Sequence, residues 1–137
     1  STCDFVQEGK EVRATQTSAV AIINAAVNCR TSRVIYCITC KKPRCRSQYC
    51  GKTVSEFRTR MYQHRVSVTG TDGKTGPNLE KAVGAHFNGP GHKVSDMSVT
   101  ILEKVWNLDP MYLRVREEFW IKKLNSKHQG MNRNRGG

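Results

Sequence analysis

Apolar and polar residues change period several times along this chain, and each change marks an element. Residues 33–39 (Arg-Val-Ile-Tyr-Cys-Ile-Thr) form a β-branched and aromatic run that reads as a strand. Lys41-Lys42-Pro43-Arg44 reads as a turn. Gln48-Tyr49-Cys50 then resumes as a second short strand that stops at Gly51, giving a hairpin with a basic, cysteine-flanked tip. Ser55 stands where an N-cap would, and Phe57, Met61 and Tyr62 follow at helical spacing. Residues 66–77, rich in Gly, Thr and Ser, read as a loop. Asn78 is the expected cap of a second helix, with Leu79, Ala82, Val83, His86 and Phe87 on one side and Asn88-Gly89-Pro90-Gly91 ending it.

Residues 99–105 alternate well enough for a third strand. Asp109-Pro110 is a strong helix start, an N-cap followed by Pro at the first helical position. Leu113, Glu117, Trp120, Ile121 and Leu124 then share one stripe, and Gly130 lies beyond its end. In the first 33 residues Val20 and Ile22 alternate with small residues, which suits extended structure, although residues 19–27 would also suit a short helix. The order strand, strand, helix, helix, strand, helix predicts a small α/β layer fold. Its sheet would be three-stranded and mostly antiparallel, flanked by helices. No internal repeat is visible.

Composition adds a partner class. The chain has 137 residues, enough for one domain with a real core. Hydrophobic residues make up 37%, thin but globular, so disorder throughout is not expected. Lys and Arg number 23 against 11 Asp and Glu, a net charge of +12 that favours a polyanionic partner. The excess is uneven. Residues 1–30 are net neutral; residues 31–65 hold nine basic side chains against Glu56 alone; residues 66–137 carry a net +4. The longest apolar run, residues 19–27, is too short for a bilayer span. The opening Ser-Thr-Cys-Asp-Phe has no basic n-region, so no secretory signal is expected. Six cysteines then point to reduced thiols or metal ligands more than to disulfides, with a trimmed secreted disulfide domain as the alternative.

Four constellations carry chemistry. Cys40 and Cys45 on the hairpin, with His86 and His92 about a helix end, match a Cys2His2 zinc set. The bland alternative is two thiols and two surface imidazoles. Gly89, Pro90 and Gly91 would let the chain turn back for His92. Cys37 reads as core, whereas Cys3, Cys29 and Cys50 lack obvious partners. Tyr36 and Tyr49 sit one on each hairpin strand. Arg60 and His64, four apart, share a helix face on which one could hold a phosphate and the other move a proton. Glu117 on an apolar stripe costs several kcal/mol unless paired or metal-bound, so it is an ion-pair partner for Arg60 or a hard-metal ligand. Its neighbour Glu118 reads as solvated.

Taken together, these positions resemble a GIY-YIG nuclease. The first motif stands as Val34-Ile35-Tyr36 and the second as Tyr49-Cys50-Gly51, followed by Lys52-Thr53. Arg60 and His64 match the family's first-helix pair. Glu117-Glu118-Phe119-Trp120-Ile121 matches its Glu helix, with Glu117 in the catalytic place, and Gly130-Met131-Asn132 matches its closing Asn. The Cys pair between the tyrosines, His-x5-His, Asn28-Cys29-Arg30-Thr31 and Ala85-His86-Phe87 are similar to the endonuclease domain of Penelope-like retroelements. Val replaces Gly in the first motif and Cys replaces Ile in the second. Arg60 lies one residue further on than in bacterial repair members, and the Cys pair is wider than the commonest Cys-x2-Cys.

The resemblance implies a domain over residues 33–133, after an arm or linker (1–32) and before a short tail (134–137). It implies a nuclear enzyme that nicks DNA to prime an attached reverse transcriptase carrying its RNA, with no membrane partner. Glu117 would hold Mg²⁺ or Mn²⁺, and Cys40, Cys45, His86 and His92 a structural Zn²⁺. Arg60 would clamp the scissile phosphate and Tyr36 would act as base. Tyr49 and Lys52 would lower the Tyr36 pKa or position the phosphate, His64 would take the proton onward, and Asn132 would complete the set. The surrounding positive charge is expected to bring Tyr36 down from its usual value near ~10. The rival reading is a zinc-stabilised DNA-binding module without catalysis, which leaves Glu117 unexplained.

Overall fold

A computed structural model describes residues 11–13, 20–22, 27–70, 76–127 and 130–132. Five strands and three helices are defined among them: β1 (Glu11–Arg13), β2 (Val20–Ile22), β3 (Ser32–Cys40), β4 (Gln48–Glu56), α1 (Phe57–Thr69), α2 (Ala82–Phe87), β5 (Met97–Lys104) and α3 (Pro110–Leu124). A 3-10 turn, Val94–Asp96, leads into β5. β4, β3 and β5 form an antiparallel sheet in that order, with β3 central, so the predicted α/β class with a three-stranded antiparallel sheet is present. β1 and β2 pair as a separate antiparallel ribbon, which agrees with extended structure around Val20 and Ile22. No described helix is long and apolar enough to cross a membrane.

The unbroken apolar run of β3 follows from burial on both faces. Val34, Tyr36, Ile38 and Cys40 join a core with Phe57, Met61 and Val68 of α1, and with Val83 and Phe87 of α2. Ile35 and Cys37 point the other way, into a cluster with Cys50, Leu102 and the α3 stripe Leu113, Trp120, Ile121 and Leu124. The sheet therefore lies between α1/α2 and α3. α3 begins as expected, since Asp109 is its N-cap and accepts from the Met111 N–H, with Pro110 at the first position.

Several expectations are corrected. β4 does not stop at Gly51 but continues to Glu56, because Lys52 and Thr53 still find partners in Ile35 and Val34. Ser55 is not the cap of α1; that position is Glu56, and no side chain caps the helix. Instead the Phe57 and Arg58 N–H groups donate to the carbonyls of Thr31 and Cys29, so the residues before β3 do the capping. α1 also extends through residues 66–69, which read as loop, because Val68 reaches the core. The cap of α2 is Lys81 and not Asn78, which forms a local turn by accepting from the Glu80 N–H. Leu79 is consequently exposed. β5 starts at Met97 and ends at Lys104, two residues before and one before the expected limits. Cys29 is disulfide-bonded, contrary to the reading that it lacks a partner, whereas Cys37, Cys40, Cys45 and Cys50 are in no disulfide. Cys3 and the tail lie outside the described residues.

α2 is held on α1 by backbone contact. Asn88 Nδ2 donates to the carbonyls of Val68 and Gly84 (2.8 and 2.7 Å). A Cβ on Gly84 would collide with the backbone oxygens of Asn78 and Ser67, the latter at 2.6 Å. Gly84→Ala is therefore expected to cost about 1–3 kcal/mol of stability by overpacking, read as a lower urea midpoint with an unchanged m-value.

Candidate functional site

The β3–β4 register builds the first part of the site. Tyr36 stands opposite Gly51, and Tyr49 two residues back on β4 shares its face. A Cβ at position 51 would lie 2.5 Å from the Tyr36 hydroxyl, so glycine is required for the ring to lie there. The two tyrosine rings are 6.4 Å apart, and each packs against His64 at 5.5 Å. α1 presents Arg60 and His64 one turn apart on this face. Tyr36 Oη is 2.5 Å from His64 Nε2, and Arg60 Nε donates to the same Oη at 3.2 Å. Arg60 donates a hydrogen bond to the phenol oxygen, and with the His64 proton on Nδ1 the Tyr36 hydroxyl donates to Nε2.

Electrostatics here differ from the expectation. Burial raises Tyr36 well above its usual value and Tyr49 adds to this, outweighing the lowering by Arg60. Tyr49 is likewise pushed up to about 12 by burial. The positive surroundings therefore do not make Tyr36 a phenolate, because desolvation of the anion is the larger effect. His64 is pushed down to about 3 by burial, then by Arg60 and Lys81, so near neutral pH it is an uncharged proton acceptor.

Glu117 is 1% exposed and faces inward from α3 as its place on the stripe predicts. Its ion-pair partner is Lys52 of β4 at 3.1 Å, not Arg60. Lys52 lies opposite Ile35, hence on the α3 side of the sheet, which is why it reaches Glu117 and not Tyr36. Burial raises the Glu117 pKa, against the lowering by Lys52 and, more weakly, Arg60. Glu117 Oε2 is buried with no hydrogen-bond partner. Its second oxygen is thus left uncommitted inside the fold. Glu118 is exposed and only loosely paired with Arg114, as expected.

Asn132 is also brought to β4, but its amide is already engaged. Oδ1 accepts from the Cys50 N–H (2.7 Å) and from Ser126 Oγ (2.5 Å), and Nδ2 donates to the Cys50 carbonyl (2.8 Å). It acts as a one-residue extension of the sheet and pins the segment between Tyr49 and Gly51. Ser126 carried no signal in the sequence. Neither did Glu103, which accepts from Arg116 Nη2 at 2.7 Å and from Trp120 Nε1 at 3.0 Å and so ties α3 to β5 on either side of Glu117. The one available clue was the spacing of Arg116 and Trp120, one helical turn apart.

A second cluster lies at the far end of β3. Cys40 ends the strand, Cys45 sits in the turn, His86 is on α2 and His92 follows Gly91, whose φ of 75° gives the reversal expected of this loop. The four ligand atoms lie within 4.8 Å of one another, and Cys45 Sγ is 3.4 Å from His86 Nε2. His92 Nδ1 donates to the Pro90 carbonyl at 3.1 Å, which leaves Nε2 with its lone pair, buried and without a partner. Burial and the neighbouring His92 ring push His86 down, which keeps its imidazole in the neutral, ligating form. This Cys2His2 set could hold a metal such as zinc.

Among protein-family models, curated proteins and solved structures, none matches this chain. The geometry itself generates a pH test. His64 has a lower pKa folded than unfolded, so below about 6.5 the unfolded chain takes up a proton that the folded one refuses. Stability is lost as pH falls towards the folded value near 3. His64→Gln keeps an acceptor for Tyr36 and removes this effect. Between pH 7 and 5 the wild type should lose about 2 kcal/mol more than the variant in urea unfolding. The Cys/His cluster is common to both proteins and cancels from the difference.

Proposed function

We propose that this chain is a metal-dependent DNA endonuclease domain of the GIY-YIG type, related to those of Penelope-like retroelements. Residues 33–133 would form the nuclease, residues 1–32 an arm or linker, and residues 134–137 a tail. The observation that carries the reading is the meeting of two groups around β4. On one side Tyr36, Arg60 and His64 share hydrogen bonds beside Tyr49; on the other Glu117 holds a buried, unpartnered oxygen next to Lys52. A DNA-binding module without catalysis gives that oxygen no role.

In the reaction, Arg60 holds the scissile phosphate. The attacking water gives its proton to Tyr36 Oη while Tyr36 passes its own to His64 Nε2, so the phenol relays a proton and never becomes a free anion. Burial is the main push that keeps His64 unprotonated, and the phosphate's negative charge beside Arg60 offsets the part that comes from Arg60. The water oxygen bonds to phosphorus, the bond to the 3′ oxygen breaks, and a 3′-hydroxyl and a 5′-phosphate remain. Lys52 favours the ionised form of the Glu117 carboxyl against the upward push of burial. Mg²⁺ or Mn²⁺ on Glu117 would supply electrostatic stabilisation of charge developing on the leaving oxygen. The 3′-hydroxyl would prime an attached reverse transcriptase copying its RNA in the nucleus.

Supercoiled plasmid incubated with the chain and Mg²⁺ should become open circular. Loss of several kcal/mol of transition-state stabilisation in Glu117→Ala should slow nicking about 100-fold or more. Nicking that survives this substitution overturns the assignment. A DNA gel shift without nicking, in Mg²⁺ or Mn²⁺, establishes the non-catalytic module instead.

The Cys40, Cys45, His86 and His92 set is proposed to bind a structural Zn²⁺ that joins the β3–β4 turn to α2. Metal analysis of protein never exposed to chelator should find about one zinc per chain. His92→Ala should lose it and melt at lower temperature.

A further inference from the structure

The turn between β3 and β4 concentrates positive charge. Lys41, Lys42, Arg44 and Arg46 fall within six residues, and residues 31–55 hold no acidic side chain. Lys41, Arg44 and Arg46 are exposed, and Lys42 is half-buried. Among the described residues, no carboxylate forms an ion pair with Lys41, Lys42 or Arg44. Asp96 touches the turn only through its backbone, since its carbonyl accepts from the Lys41 N–H while its carboxylate accepts from the Lys93 N–H.

The turn is also held in shape. The Cys40 N–H donates to the Ser47 carbonyl at 2.8 Å, and the Lys42 carbonyl accepts from the N–H groups of Cys45 and Arg46 at 3.0 and 3.1 Å. Arg46 has a φ of 54°, a left-handed conformation that costs an arginine about 1 kcal/mol and glycine nothing. Turn geometry therefore does not account for a cation at this position. Cys40 and Cys45 bracket Lys41, Lys42 and Arg44, so the cluster within 4.8 Å of His86 and His92 ties down both ends of the charged loop.

This chemistry selects the occupant. Four cations without acidic neighbours in their own hairpin call for a polyanion. Residues 41–47 hold no aromatic ring on which an unpaired base could stack, and no large apolar side chain that could enter a bilayer. Duplex DNA, with one negative charge per about 1.7 Å of axis, fits a cluster that offers charge alone. We infer that the β3–β4 turn grips the phosphate backbone of duplex DNA apart from the proposed scissile site, and that the Cys/His set holds the turn in shape to do so. Tyr36 and Cys40 are four residues apart along β3, about 13 Å, so one duplex can meet Arg60 and the turn about four base pairs apart. Zn²⁺ on two thiolates and two neutral imidazoles carries no net charge, so a metal there would act on the shape of the turn and not on its charge. The inference rests on the proposed DNA partner but not on cleavage.

Fluorescence anisotropy of a short labelled DNA duplex, titrated with the full chain over a salt series without Mg²⁺, tests this. Lys41→Gln/Arg44→Gln removes two exposed charges. It should lower the slope of log affinity against log salt by about two and weaken binding about 10-fold at physiological salt, with unchanged circular dichroism. Lys122→Gln/Lys123→Gln, an equal change of charge at the end of α3, should leave the slope within about half a unit of wild type. His92→Ala keeps all four cations and should bind about 5-fold more weakly at an unchanged slope, because the turn must then be ordered on binding. A wild-type slope in Lys41→Gln/Arg44→Gln overturns the proposal, as does an equal loss in the α3 variant, which would reflect net charge alone. A loss in Lys41→Gln/Arg44→Gln seen only with single-stranded DNA overturns it too, and wild-type affinity in zinc-free His92→Ala overturns the holding role. A wild type that binds no duplex refutes the DNA reading itself, whereas binding that ignores the turn refutes only this inference.

Discussion

The Tyr36 ring lies against the backbone of β4, and it can do so only because Gly51 opposite has no side chain. Most of the site follows from this contact. It holds the β3–β4 register, and the register sends Tyr49 to the side of Tyr36 and Lys52 to the side of α3. α1, which follows β4 directly, then delivers Arg60 and His64 to the Tyr36 hydroxyl. A slip of one residue would exchange the faces, setting the lysine among aromatic rings and leaving Glu117 buried without its counter-charge. Asn132 guards the same register from the open edge of the sheet by filling the hydrogen-bonding positions of Cys50.

Burial and charge compete at Tyr36 and Glu117, and burial wins at both; at His64 the two act in the same direction. Tyr36 remains a phenol despite Arg60, His64 remains neutral, and Glu117 is harder to ionise than a solvated carboxylate despite Lys52. A site built this way does not rely on a standing anion at Tyr36. It has a phenol and a neutral imidazole in contact. The cost of burying Glu117 is partly offset by Lys52, and the remaining unpartnered oxygen is the least satisfied polar atom of the site.

Local signals were the legible ones. The run 33–39 declares a strand because every second residue meets a core on one side or the other, and Asp109-Pro110 declares a helix because capping involves only neighbours. The Cys and His spacing also stated a ligand set that the fold gathers within 4.8 Å. What local pattern missed was decided by distant partners. Residues 66–69 look like loop but are helical because Val68 has a core to enter, and Ser55 looks like a cap but is displaced by carbonyls from residues 29 and 31. Arg60 looked like the partner of Glu117, and only the pleat of β4 shows that Lys52 takes that place.

By itself, the sequence determined the kinds of chemistry present: a basic middle segment, a Cys2His2 set, two tyrosines on a hairpin, an Arg–His helix face and a carboxylate on an apolar stripe. Each is a matter of residue type and short-range period, which composition and spacing record. Only the tertiary structure decided who touches whom and at what protonation. Tyr36 reaches His64 across 28 residues, Lys52 reaches Glu117 across 65, and Asn132 reaches Cys50 across 82. The shielding from water that sets their pKa values exists only once the sheet is closed between its helices, because desolvation is a property of the packed core and not of any segment alone.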